Sequence, residues 1–215
     1  MMKITSFEII VVGAPWRELT IVELQTDDGV TGVGEVRMVN KTDNLVSAIQ
    51  ELGERYVIGA DPFDLTRLAW NIDVAEYGLP GEVGRSALAA FDIACWDIMG
   101  KSLGVPVWKL LGGAFTERIQ GYANGWYQGE CDADEMGDLA RSVVNRGYRG
   151  LKIDPFGAAS ADLTPENHRR SIAILESVRA AVGDDIEIYV EMHGRFTAAT
   201  AVAVAKDLVV CLQNR

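Results

Sequence analysis

Cysteine is scarce and badly placed for cross-linking: Cys95, Cys131 and Cys211 are odd in number, far apart and show no C-x-x-C spacing. This excludes a disulfide framework and a zinc knuckle, and fits free thiols in a reducing compartment. No apolar run reaches the roughly 20 residues that a bilayer crossing needs, and the N-terminus lacks the charged-then-apolar start of a signal peptide. A soluble, cytoplasmic protein is the expectation. Positive charge is also short, with 20 Lys and Arg against 31 Asp and Glu and a formal net charge of −11. Nucleic acid and anionic membranes bind clustered cations, so neither is an expected partner. The same field opposes an anionic small molecule, which would need local cations or a metal to be held. Repeats, low-complexity tracts and Pro- or Ser-rich linkers are absent too. What remains, 48% hydrophobic and 24% charged over 215 residues, suffices for one or two packed domains.

The first third reads as an antiparallel meander. Residues 3–12 (KITSFEIIVV) form a β-branched strand that Gly13, Ala14, Pro15 and Trp16 interrupt. Residues 19–26 (LTIVELQT) alternate apolar and polar, Asp27-Asp28-Gly29 supplies a turn, and residues 30–35 (VTGVGE) return. Helices follow: residues 42–57, capped by Thr42 or Asp43; a second opened by Asp61-Pro62 and running to about Ala75; and 83–101, apolar on most of its circumference and so buried. Phe91, Cys95 and Ile98 should sit inside, with Trp96 and Trp108 also in the core. After residue 115 the rhythm changes to strand 118–124, helix 132–147, strand 148–154, helix 165–182, strand 186–192 and helix 197–209. Three β-then-α units with short links predict a parallel sheet or barrel.

The chemistry gathers at strand ends. In Leu151-Lys152-Ile153-Asp154, alternation sets the apolar residues on one face and Lys152 with Asp154 on the other. From Ile186 to His193 the same rule groups Ile188 and Val190 against Glu187, Tyr189, Glu191 and His193. Charged residues toward the centre at C-terminal strand ends are the arrangement of a barrel mouth, where barrel enzymes keep their sites. Taken singly, each has a plainer reading: a local ion pair for Lys152 and Asp154, a solvated strand end for Glu191, a loop or capping histidine for His193. Converging carboxylates are costly unless a cation joins them, and Glu191 in oxygen-rich company suits a hard ion such as Mg²⁺. His168, on an outer helix, reads as solvated.

The run Ala89-Ala90-Phe91-Asp92-Ile93-Ala94-Cys95-Trp96-Asp97-Ile98-Met99-Gly100-Lys101, closing with Gly104-Val105-Pro106-Val107-Trp108-Lys109-Leu110-Leu111-Gly112-Gly113, resembles a lid-to-barrel junction. It is that of the enolase superfamily, and of its mandelate racemase/muconate lactonizing group in particular. The resemblance spans residue 3 to about 208. It implies an α+β capping domain over residues 1–115, followed by the first part of a (β/α) TIM-like barrel over 116–215. It also implies Mg²⁺-dependent abstraction of a proton α to a carboxylate, with dehydration of a sugar acid the leading chemistry and a homo-oligomer the assembly. Lys152 falls at the first lysine of the family's Lys-x-Lys motif, which helps hold the substrate carboxylate. Asp154 stands where the family has its base lysine, a departure that puts a lysine-base mechanism in doubt. Glu191 occupies the first metal-ligand position. Glu191-Met192-His193-Gly194-Arg195 resembles the dehydratase segment whose histidine protonates the departing hydroxide, a task suited to a side chain that titrates near neutrality. Specificity in the family comes from lid loops, here Gly13–Glu18 and about Arg37–Asn44. Trp16 and Arg17 are the candidate substrate contacts, a packed aromatic and a surface cation being the alternative.

A barrel of this kind needs eight strands and ~250 residues, whereas only three β/α units follow residue 115. The sequence is therefore expected to be truncated, with further metal ligands and the base on strands it lacks, and the 215-residue form to be inactive. A racemase or cycloisomerase, or an inactive piece that self-associates through an open sheet edge, are the alternatives. Residues 209–215 carry no assignable feature.

Overall fold

The structure is a computed structural model that describes residues 1–76, 81–129 and 131–213, the side chains of 210–213 excepted. It divides into two compact units, Met1–Phe115 and Thr116–Arg215.

In the first unit, β1 (Ile4–Ala14), β2 (Arg17–Thr26) and β3 (Thr31–Val36) form an antiparallel sheet in that order. Alternation on β2 is clean: Thr20, Val22, Leu24 and Thr26 are buried while their neighbours are not. The turn between β2 and β3 works because Gly29 adopts φ 77°, closed by Gly29 N–H donating to the Thr26 carbonyl at 3.1 Å. The inward positions of β3 are Gly32 and Gly34, for a steric reason. A Cβ at Gly34 would lie 2.0 Å from the Ala90 carbonyl oxygen, and one at Gly32 2.1 Å from that of Ala94. Helix α3 (Gly81–Leu103) thus lies directly on the β3 backbone, and its Ala87, Ala90, Phe91, Ala94, Cys95 and Ile98 are fully buried. Its polar side closes the free edge of β3: Asp97 accepts the Val33 N–H at 2.9 Å and Lys101 donates to the Thr31 carbonyl at 2.8 Å. Leu45 and Ile49 of α1 (Thr42–Leu52) and Leu68 and Ile72 of α2 (Leu65–Ala75) complete the core.

Several local expectations give way. Gly13 and Ala14 pair with Glu18 and Arg17, so the first lid loop is a Pro15-Trp16 turn at the tip of a continuous hairpin. Neither Thr42 nor Asp43 caps α1. Asn40, at φ 57°, turns the chain early, Lys41 becomes the cap position, and Asp43 falls in the first turn, where its charge favours the helix N-terminus. Beyond Leu52 the helix loosens into a π-helical turn, Gly53–Val57, whose glycine faces the Phe7 ring. Asp61 spends its carboxylate on the Phe63 N–H at 2.9 Å, so α2 starts only at Leu65. Trp108 is 50% exposed, because α4 (Val107–Leu110) is a single turn with no buried residue, and Trp96 is half-buried.

The second unit holds α5 (Ala133–Asn145), β4 (Gly150–Ile153), α6 (Pro165–Val182), β5 (Glu187–Val190) and α7 (Ala198–Gln213). Both strands are parallel, with Leu151 beside Ile188 and Lys152 beside Tyr189. Leu151 and Ile153 are fully buried among Val143, Ile174, Leu175, Val178, Val204 and Leu208 of the helices. Start signals are legible: Asp132 accepts the Glu135 N–H at 2.8 Å, and Thr164, followed by Pro165, accepts that of Asn167 at 3.2 Å. The expected strand 118–124 shrinks to one bridge, Ala123 beside Leu151. That register sets residues 118–121 opposite 146–149, where Gly147 turns at φ 97° and offers no extended partner. Helix α7 continues through residues 209–213, which the sequence left without a feature. Cys95 and Cys131 are buried free thiols, and the Cys211 side chain lies outside the described residues. Among the described residues no helix is long and apolar enough to cross a membrane.

Candidate active site

Four of the six residues singled out in the sequence meet at the C-terminal ends of β4 and β5. Lys152, on β4, stands beside Tyr189 in the register and reaches Glu191, its Nζ 2.6 Å from Oε2. The other oxygen of Glu191 accepts the backbone N–H of His193 at 2.8 Å. The imidazole Nδ1 of His193 lies 2.9 Å from Oδ2 of Asp154, and Arg195 Nη2 lies 2.5 Å from Oδ1. Lys152, Glu191, His193, Asp154 and Arg195 therefore form one continuous polar chain across two strand ends.

Electrostatics follow the contacts. Donation from Lys152, reinforced by the His193 N–H, lowers the Glu191 carboxyl from its ordinary range to about 2. The hydrogen bond to Glu191 raises Lys152 in turn. Both side chains are about a quarter exposed, so the pair is half-buried and not sealed.

His193 does not share the strand face of Glu191. β5 ends at Val190, and His193 sits in a turn at φ 51°, followed by Gly194 at φ 62°, so strand alternation does not govern its direction. A left-handed histidine is uncommon and costs backbone energy. Here the turn brings the ring back to Asp154. His168, expected to be solvated, instead places Nε2 3.2 Å from Asp207 Oδ2 on α7.

Three contributors had no assigned role in the sequence. Arg195 was visible only as the end of a motif. Trp126 donates its indole N–H to the Lys152 carbonyl at 2.9 Å, and the Tyr127 hydroxyl accepts the Asp154 N–H at 2.8 Å. Burial pushes the Tyr127 phenol up. The signal for the aromatic pair was its position between Gly125 and Gly129, three residues after the bridge residue Ala123.

Trp16 and Arg17 stand on the first unit at the tip of the β1–β2 hairpin. Trp16 is 74% exposed and the Arg17 guanidinium lies 5.3 Å from its ring centre. With Arg37, Met38, Val39 and Asn40 they line a cleft of ≈ 310 Å³. Both lid loops named from sequence thus meet around one cavity.

A hard dication takes about six oxygen ligands. Among the described residues no group of three or more His, Cys, Asp or Glu could hold a metal ion. Both Glu191 oxygens are engaged by Lys152 and His193, and Asp154 is shared between Arg195 and His193. These residues offer one or two donors, and by themselves they do not fit a Mg²⁺ site.

An α+β unit followed along the chain by a parallel β/α unit, with charged residues at its strand ends, has the element order of a capping domain and the first part of a barrel. Residues 6–112 match the N-terminal domain of mandelate racemase/muconate lactonizing enzyme, and residues 135–212 match the enolase C-terminal domain-like family. The chain belongs to the mandelate racemase/muconate lactonizing enzyme family of the enolase superfamily. It is 37% identical over 195 residues to D-gluconate dehydratase of Thermoproteus tenax, covering 90% of this chain and 39% of the relative. It is 34% identical over 207 residues to D-galactonate dehydratase of Verminephrobacter eiseniae, covering 96% and 52%. Among solved structures it resembles mandelate racemase/muconate lactonizing enzyme from Sulfitobacter sp., with TM-score 0.89, 28% identity, and coverage of 98% of this chain and 58% of that one. A mandelate racemase/muconate lactonizing enzyme-like protein from Roseovarius sp. TM1035 superimposes with TM-score 0.84 at 29% identity, covering 98% and 57%. The chain spans about half the length of the curated relatives it matches.

Proposed function

We propose that this chain carries part of the active site of a sugar-acid dehydratase. The observation that carries the reading is the polar chain at the ends of β4 and β5, where an ammonium and an imidazole stand next to paired carboxylates. Lys152 supplies the positive charge that an acid substrate needs against a net charge of −11. In this reading the substrate carboxylate competes with Glu191 for that ammonium. A base not assigned among the described residues removes the proton α to the carboxylate. His193 delivers a proton to the departing β-hydroxyl, which leaves as water, and the resulting enol tautomerises to a 2-keto-3-deoxy acid. Trp16 and Arg17, on the first unit, are the accompanying candidate substrate contacts. The names of the relatives, gluconate and galactonate dehydratases, favour loss of water over racemisation or cycloisomerisation.

Mg²⁺ would be the accompanying cofactor: Glu191 would be one oxygen donor to it, and the ion would supply positive charge for an acid substrate. A cytoplasmic homo-oligomer is the accompanying expectation. The donor set described above is too small for the ion, so the 215-residue chain alone should show no saturable Mg²⁺ binding at millimolar concentrations by titration calorimetry. Tight binding would mean that the donors have been misread.

The proton donor is tested in the active protein that carries this sequence, with D-gluconate and D-galactonate as substrates. His193→Asn should lower dehydration by about 10²-fold or more, the usual worth of a general acid, while α-proton exchange into deuterated solvent persists. Dehydration near the wild-type rate would remove His193 from the mechanism.

A further inference from the structure

We infer that Asp154 and Arg195 are positioning residues that fix the tautomer of His193, placing hydrogen on Nδ1 and leaving Nε2 to face the substrate. The inference rests on His193 being the proton donor proposed above, and adds which of its nitrogens acts and what selects it.

Donor and acceptor capacity around Asp154 fixes which of its oxygens meets the ring. Asp154 is anchored before its side chain is considered: it follows the last residue of β4, and its backbone N–H donates to the Tyr127 hydroxyl at 2.8 Å. Its Oδ1 accepts two donors, the Phe156 N–H at 3.1 Å and Arg195 Nη2 at 2.5 Å. Neither partner can act as an acceptor, because backbone N–H and guanidinium groups only donate. Arg195 is itself tied, its Nη1 donating to the Gly157 carbonyl at 3.1 Å, and only 23% of its side chain is exposed. The carboxylate therefore cannot rotate freely. Oδ2 is left pointing at Nδ1 of His193, 2.9 Å away. An acceptor facing a ring nitrogen holds hydrogen on that nitrogen, so Nδ1 donates and Nε2 is the remaining proton site. The His193 side chain is 60% exposed, which leaves room for a ligand to approach it.

The same geometry makes an unusual demand on Asp154→Asn. The carboxamide must turn its oxygen to the Oδ1 position, because Phe156 N–H and Arg195 both require an acceptor there. Its NH₂ then faces His193, and Nδ1 has to accept. An isosteric change that removes one charge should therefore invert the tautomer, which loss of packing would not do.

The chain contains only two histidines, His168 and His193, so ¹⁵N-histidine labelling gives two imidazoles, and His168→Gln assigns them. The 215-residue chain is examined at a pH where both rings are neutral. His193 should show a pyrrole-type Nδ1 and a pyridine-type Nε2, exchanged in Asp154→Asn. Asp154→Ala should give the averaged signals of a solvated ring, which keeps the test informative should the asparagine variant fold poorly. A pyrrole-type Nε2 in the parent chain, or a pattern unmoved by either substitution, overturns the inference whatever turnover shows. The expected tautomers together with near wild-type dehydration by His193→Asn would instead uphold the positioning and end the proton-donor reading.

Discussion

The two sheets of this molecule spend their polar residues differently. In the antiparallel sheet of the first unit, charged side chains guard an edge: Asp97 and Lys101 close β3 from outside, while the inward face is reduced to glycine so that α3 can touch backbone. In the parallel sheet of the second unit, the buried face is filled by Leu151 and Ile153, and the charges collect at the strand ends, where they pair with one another. One sheet uses polarity to end a surface, the other to build a site. The difference teaches that a charged residue on a strand acquires meaning from where the strand stops.

The largest effect should come from the steric contact of the first sheet. Gly34→Val places a branched side chain where even a Cβ would lie 2.0 Å from the Ala90 carbonyl. Overpacking of this kind costs about 3 kcal/mol or more. Urea denaturation should show it, with hydrogen exchange of β2 and β3 losing protection. Gly13→Ala has open space around it and should change stability by less than about 0.5 kcal/mol. Equal effects at the two glycines would break the contrast drawn between them.

Leu151→Ala probes the other sheet. The side chain is fully buried beneath the helices, so the cavity should cost about 3 kcal/mol. Here the loss should appear in amide protection of β4 and β5. A cost below about 1 kcal/mol would mean that this sheet is held by its charged ends and not by its buried face.

The smallest effect concerns Glu191. Its carboxyl is lowered to about 2 in the folded chain, so the interaction is fully present above the ordinary carboxylate range and is lost as pH falls toward 2. Glu191→Gln should therefore melt below the parent at neutral pH, and the gap should close on acidification between about pH 5 and 2. A gap that stays constant with pH would show that Glu191 stabilises by packing and not through its pairing with Lys152.

Much of this was readable before the fold was known. The β2 alternation, the Asp-Asp-Gly turn, the buried run around Phe91 and the Thr164-Pro165 start each depend on neighbours within a few residues. The strand 118–124 was misread because pattern alone cannot supply a partner, and the register left residues 118–121 opposite a turn. Trp108 was misplaced because an aromatic in a one-turn helix has too little helix beside it to be covered. Lys152, Asp154, Glu191 and His193 were found by residue type at strand ends. Their pairing was not, because His193 reaches Asp154 by leaving the strand at a left-handed turn, which no alternation rule foresees.

By itself, then, the sequence determined most of the order of elements and the residues that carry charge at the strand ends, since periodicity, turn chemistry and spacing are local properties of the chain. Tertiary structure alone decided which oxygen of Asp154 faces Arg195 and which faces His193, that Lys152 meets Glu191, and that Trp126 and Tyr127 hold the backbone of the site. Those contacts join residues about 25 to 40 positions apart, and their geometry is set by strand register and by one positive φ, neither of which is written in any short stretch of sequence.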